Sequence, residues 1–230
     1  MDHSIRVNPT LNGDNKTRLF VSWTNDEYRT TGCYNLLCPG FVQVNNQIVL
    51  GSYFDPISSY GDKIQRMGKV FVWKESEDGY WPSTPFTHLN DSALMIQWGG
   101  EIVNNHINGQ HTTTEMGSGH FAEEEFGKAS AFLNIEILDA AKNFISPKDF
   151  GILMDHESCY NIKTVSNDYF GTHFYYGGPE PFILTLTKRN ISSTLVLSGF
   201  PSSGANGKPS GSSNRNILQP TYLGAFGIAN

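Results

Sequence analysis

Apolar and polar residues alternate along this chain in short runs, and turn residues interrupt nearly every run. Over residues 18–24, Leu19, Val21 and Trp23 fall on one face of an extended segment. A period of two is the mark of a half-buried strand. The same pattern predicts strands over residues 69–73, 93–98, 101–104 and 172–176. It also predicts one where Leu133, Ile135 and Ile137 alternate with Phe132, Asn134 and Glu136. Residues 40–44 and 47–50 flank Asn45-Asn46, which predicts a tight hairpin. Two segments read differently. Residues 122–131 are acidic and alanine-containing, and Ser146-Pro147-Lys148-Asp149 has the form of an N-cap followed by proline at the first helical position. Turn signals are frequent enough, even so, to favour an all-β fold. No internal repeat is present.

Composition agrees with that reading. Charged residues make up only 17% of the chain and apolar residues 38%, which argues against a coiled coil or a helical array. The counts of Gly (23), Phe (15) and Tyr (10) suit many short strands joined by turns. A length of 230 residues fits one domain, or one domain with a tail. No apolar run reaches the length of a membrane span, and no basic cluster points to nucleic acid. The formal net charge of -6 bears mainly on solubility.

That charge is unevenly placed. Every acidic residue lies at or before Glu180, and all four Trp and all three Cys lie before residue 179. Composition therefore breaks near Glu180. Beyond it, residues 200–216 are rich in Gly, Ser, Asn and Pro and read as a flexible or disordered loop. The flanking apolar stretches, 182–186 and 217–229, either add strands or dangle. Cys33 and Cys38 are close enough for a small disulfide loop, which leaves Cys159 over; three reduced thiols is the other reading. Three sequons, at Asn15, Asn90 and Asn190, lean toward a secretory protein. The N-terminus has no apolar signal region.

Four segments carry unusual motifs. They are Thr31-Gly32-Cys33-Tyr34-Asn35-Leu36-Leu37-Cys38-Pro39-Gly40-Phe41-Val42-Gln43, Gln97-Trp98-Gly99-Gly100-Glu101-Ile102-Val103-Asn104, His111-Thr112-Thr113-Thr114-Glu115-Met116-Gly117-Ser118-Gly119-His120-Phe121, and Phe174-Tyr175-Tyr176-Gly177-Gly178-Pro179. In this order they resemble the catalytic domain of the neprosin family, plant glutamic endopeptidases that cleave after proline. The resemblance runs from about residue 7 to residue 179, with Asn12-Gly13-Asp14 and Tyr80-Trp81-Pro82 fitting between the segments.

The resemblance implies an antiparallel two-sheet β-sandwich with two glutamates facing each other across a cleft. One carboxylate would take a proton from the attacking water. The other, protonated, would polarise the peptide carbonyl or protonate the leaving amine. Neighbouring carboxyls share a proton and titrate as a pair, so such a site works best in acid. No metal or organic cofactor is implied. The expected substrates are proline-containing peptides or proteins, acted on by a monomer that is secreted or vacuolar.

Carried residue by residue, the family's second glutamate is Glu101, with Gly99 and Gly100 letting a substrate backbone approach. The first precedes a Gly-Trp pair ahead of Val7, Pro9 and Gly13-Asp14. It falls on Asp2, with Ser4-Ile5 where the pair would be. Trp98 and Tyr34 are expected to line the cleft with the glycines, since prolyl rings pack well on aromatics. Trp81, Tyr175 and Tyr176 belong either to that surface or to the core. Only Glu75-Ser76-Glu77-Asp78-Gly79 stands where the family carries a longer stretch with paired tryptophans. The family's cysteine after the Gly-Gly-Pro segment, the natural partner of Cys159, is replaced by the acid-free tail. The expected organisation is a peptidase domain over residues 1–179, incomplete at its N-terminus, and a divergent, partly disordered tail over 180–230, as in a truncated or mis-spliced product.

Other chemistries fit less well. His106, His111 and His120 lie near Glu115 and Glu123 but lack the spacing of a zinc peptidase. Gly117-Ser118-Gly119 is too short for a nucleophile elbow. The main rival reading is a catalytically inactive β-sandwich that binds peptides, or a fragment that does not fold stably because it lacks edge strands.

Overall fold

Strands form where apolar side chains recur at a spacing of two, and Gly, Asn and Pro end them. The computed structural model describes residues 2–26, 28–72, 79–82, 93, 95–102, 114–139, 141, 143–148, 150–167, 169–179, 193–199 and 221–227. Fifteen strands lie among these: β1 (Asp2–Arg6), β2 (Arg18–Trp23), β3 (Cys33–Tyr34), β4 (Val42–Gln43), β5 (Met67–Val72), β6 (Gly79–Tyr80), β7 (Ile96–Ile102), β8 (Ser130–Leu133), β9 (Ile137–Leu138), β10 (Phe144–Ile145), β11 (Gly151–Met154), β12 (Asn161–Asn167), β13 (Gly171–Gly177), β14 (Ser193–Gly199) and β15 (Thr221–Gly227). Among the described residues helix is limited to one turn, α1 (Pro9–Asn12), and a 3-10 turn at Ala122–Glu124. Neither is long and apolar enough to cross a membrane.

The fold is all-β and its pairings are antiparallel. Strands β10, β9, β15, β8, β13 and β12 form one sheet in that order, with β5 added on β15. Two three-stranded sheets, β1-β2-β3 and β11-β14-β7, and a β4-β6 ribbon hold the rest. Among the described residues, hydrogen bonding thus divides the strands among more sheets than the two expected. Packing is nonetheless layered. Ile96 and Trp98 of β7 meet Phe132 of β8 and Phe174 of β13 in the main core, and Ile5 of β1 packs against them. The rings of Phe132 and Phe174 stack with centroids 4.9 Å apart.

Several local expectations change. Val42 pairs with Tyr80, so no hairpin forms across Asn45-Asn46. Asn45 instead accepts the Gln47 N–H through Oδ1 at 2.7 Å, and Gln43 Oε1 accepts the Leu50 N–H at 3.1 Å. These side-chain bonds replace the ladder. Residues 122–131 start with a single 3-10 turn, which Glu125 ends at a φ of 57°. Ser146, Pro147 and Lys148 are not helical, and Asp149 lies outside the described residues. The alternating run around Ile135 is two strands, separated at Asn134, whose φ is 50°. Residues 96–102 are one continuous strand through Gly99 and Gly100. Residues 73, 103–104, 182–186 and 200–216 lie outside the described residues. Past residue 180, β14 pairs with both β7 and β11, and β15 pairs with β5, β8 and β9.

Candidate active site

Alternation along two strands builds the site. In β7, Ile96, Trp98 and Ile102 are buried while Gln97 and Glu101 are exposed, so even-numbered residues face the core and odd-numbered ones face out. In β1, Ile5 packs on the core, which turns Asp2, Ser4 and Arg6 to the opposite side. The outward faces of β1 and β7 meet at Arg6. Its Nη2 lies 2.7 Å from Asp2 Oδ2 and 3.8 Å from Glu101 Oε2. Both carboxylates therefore stand beside one guanidinium nitrogen, with side chains 41% and 53% exposed. Solvent can reach them.

Hydroxyls fix the Asp2 end. Arg6 Nε donates to Ser4 Oγ at 3.0 Å, and the hydroxyls of Ser4 and Ser22 each lie 3.4 Å from Asp2 Oδ2. The register puts Asp2 opposite Ser22 and Ser22 opposite Tyr34, so these three side chains form a row across β1, β2 and β3. Tyr28 closes over the row, its OH donating to Ser22 Oγ at 2.9 Å. Burial pushes the Tyr28 phenol upward. The Tyr28 loop is held by Asp26, whose carboxylate accepts from the backbone and hydroxyls of Thr30 and Thr31. Those bonds hold Asp26 well below the usual carboxylate range.

An aromatic floor runs beneath. The Arg6 guanidinium lies 4.5 Å from the Phe20 ring centroid, and Phe20 meets Tyr34 at 5.4 Å. Tyr34 is 43% exposed. The Cys33–Cys38 disulfide is formed, with Cα atoms 6.1 Å apart. Cys33 packs with Val21 and Trp23, so the loop that presents Tyr34 is anchored in the core. Cys159 is a free thiol.

Other expected site residues turn elsewhere. Trp98 is only 1% exposed and belongs to the core, one position out of phase with Glu101; it does not line the cleft. Gly100 shares that inward phase. A β-carbon there would meet Tyr176 Cε2 at 2.7 Å and Met116 Cγ at 2.9 Å, so Gly100 serves close packing rather than substrate approach. Gly99 shares the outward phase of Glu101. Tyr175 is buried, and Trp81 sits against His3, Trp23 and Phe41.

His120 has partners of its own. His120 Nδ1 is 2.9 Å from Glu124 Oε1, and Tyr60 OH donates to Glu124 Oε2 at 2.8 Å. Those bonds, Tyr60 first, lower the Glu124 carboxyl. His106 and His111 lie outside the described residues. His3 is on the inward face of β1, its ring edge-on to Trp81 at 4.9 Å, and burial holds it down to about 3.

Arg6 is the site residue that motif reading passed over. The signal was present, since Asp2, Ser4 and Arg6 follow one another at the spacing of a single strand face. Comparison with protein families adds one finding: the model of a family described as Neprosin matches residues 2–179.

Proposed function

Because the chain belongs to the neprosin family, we propose that it is a peptidase of the glutamic type that hydrolyses peptide bonds after proline in acid. The observation that carries this reading is the meeting of Asp2 and Glu101 beside Arg6. Two exposed carboxyls on adjoining strand faces are what water activation with proton return requires.

In this mechanism Glu101, the more exposed of the two, removes a proton from water as the oxygen attacks the scissile carbonyl. The carbonyl electron pair moves onto its oxygen, where the Asp2 carboxyl, protonated in acid, donates a hydrogen bond. When the C–N bond breaks, the leaving amine takes the proton back from Glu101. Asp2 is a methylene shorter than the glutamate expected at its position, and the hydroxyls of Ser4 and Ser22 support it where it stands. Tyr34 offers an exposed ring to the prolyl side chain. The Cys33–Cys38 disulfide supports a secreted or vacuolar location.

Cleavage of a quenched fluorescent proline-containing peptide, scanned from acid to neutral pH, tests the reading. Acid-favoured cleavage after proline, lost in Glu101→Gln, is expected. A folded protein that leaves the peptide intact at every pH sinks it and favours a peptide-binding domain.

A further inference from the structure

Arg6 has no assigned role in a two-carboxyl mechanism, yet it stands at the centre of the site. Its Nη2 contacts Asp2 and reaches toward Glu101, its Nε is held by Ser4, and its Cζ lies over the Phe20 ring. Among the described residues, nothing hydrogen-bonds its Nη1. A guanidinium cannot lose its proton in the working range and carries five N–H donors. Fixed at three points, it keeps the Nη1 donors to spare, on the same guanidinium whose Nη2 meets the two carboxylates.

Resting on the peptidase reading above, we infer that Arg6 binds the scissile carbonyl oxygen and stabilises the oxyanion of the tetrahedral intermediate. The step balances without a second protonated carboxyl. Water gives its proton to Glu101, its oxygen bonds to the carbonyl carbon, and the displaced electron pair rests on an oxygen held by Arg6. Collapse re-forms the carbonyl, breaks the C–N bond and returns the Glu101 proton to the amine. Positioned donors aimed at developing charge are worth most when they are already in place. A guanidinium keeps its charge across the working range, so Arg6 supplies this donor at neutral pH as well as in acid, where the protonated carboxyl of the mechanism above serves beside it.

The groups facing Arg6 are accounted for. Asp2 and Ser4 share its strand, Glu101 faces it from β7, and Ser22 and Tyr28 approach over β2. Arg18, opposite it in the register, is bound by Asp14 at 2.6 Å. No second cation therefore competes for the carboxylates among these neighbours.

Arg6→Gln and Arg6→Lys test the inference, each compared with the wild type and with Glu101→Gln on the same proline peptide near pH 4 and near pH 7. For Arg6→Gln, kcat is expected to fall about a hundredfold near neutral pH and much less in acid, with KM little changed. Arg6→Lys, which keeps the charge but not the fork, should fall in between. Affinity for a peptidyl phosphonate, whose tetrahedral anion mimics the intermediate, should drop in Arg6→Gln and not in Glu101→Gln. An equal loss at both pH values, an unchanged neutral rate, or unchanged phosphonate affinity overturns the inference while cleavage dependent on Glu101 leaves the peptidase reading standing. If Arg6→Gln does not fold, the ratio of neutral to acid rates in Arg6→Lys decides: below wild type supports the inference, and equal to wild type overturns it. A wild type that neither cleaves nor binds the phosphonate removes both readings together.

Discussion

Gly100 lies against Tyr176 so closely that a β-carbon on the glycine would stand 2.7 Å from Tyr176 Cε2, with Met116 Sδ at 2.9 Å. Met116 is itself buried in the core. Gly100→Ala is therefore expected to destabilise the protein by about 1–3 kcal/mol, the usual cost of overpacking a filled core. Because Glu101 is the next residue on the same strand, activity should fall more than stability alone accounts for. Denaturant unfolding alongside peptide cleavage measures both, and an alanine variant of wild-type stability would show that the contact can relax.

His3 links stability to pH. Its imidazole is inward, with Nε2 buried and unbonded, and is held down to about 3 by burial. An unfolded histidine takes its proton near 6.5. Between those values the unfolded chain binds the extra proton and the folded one does not, so stability declines as pH falls from about 6.5 toward 3. His3→Phe keeps an edge-on ring against Trp81 and removes the proton site. Its melting temperature should fall less steeply than that of the wild type between about pH 6.5 and pH 4. Parallel slopes would mean that His3 is solvated after all.

The disulfide is expected to serve both stability and the cleft. Cys33 and Cys38 are five residues apart in sequence, and a loop that small restrains the unfolded chain by roughly 2 kcal/mol. Replacing both with serine should cost about that much in denaturant unfolding. Tyr34 lies inside the closed loop, so KM for proline peptides should rise while kcat moves less. A KM unchanged by the double substitution would separate Tyr34 from substrate binding.

Much of the fold was legible because alternation is a local signal. Leu19, Val21 and Trp23 share a face as their spacing predicts, whereas β13 is buried on both faces, with Phe174 in one cluster and Tyr175 in another. What the pattern missed depended on distant partners. Gly99-Gly100 reads as a break between strands. The strand runs through it, because Gly100 leaves room for Tyr176 and Met116, which arrive from elsewhere in the chain. Trp98 reads as a cleft aromatic because prolyl rings pack well on aromatics, but the alternation that exposes Glu101 buries Trp98. Asp2 was found through its motif neighbours. Arg6 was missed because its importance comes from Glu101, nearly a hundred residues on. The run at Leu133 to Ile137 looks like one strand, and only the left-handed Asn134 reveals two.

The segment beyond the composition break is expected to be needed for the site. Composition alone separates residues 180–230 from the rest, since acids, Trp and Cys all stop there. Yet β14 pairs with β7 along its whole length, from Ser193 opposite Ile102 to Gly199 opposite Ile96, and Thr194 lies opposite Glu101. Among the described residues β14 is the only ladder partner of β7. β15 likewise joins β5 to β8 and β9. Ending the chain after Pro179 would remove the one ladder partner that the strand carrying Glu101 has among the described residues, leaving the N–H and C=O groups that β14 pairs open to other chains. The shortened protein should therefore lose cooperative unfolding, aggregate and show no cleavage at any pH. Size-exclusion chromatography, thermal unfolding and the peptide assay together decide the matter. A soluble, cooperatively folded product with full activity would show that residues 1–179 suffice and that the β7–β14 pairing is dispensable for the site.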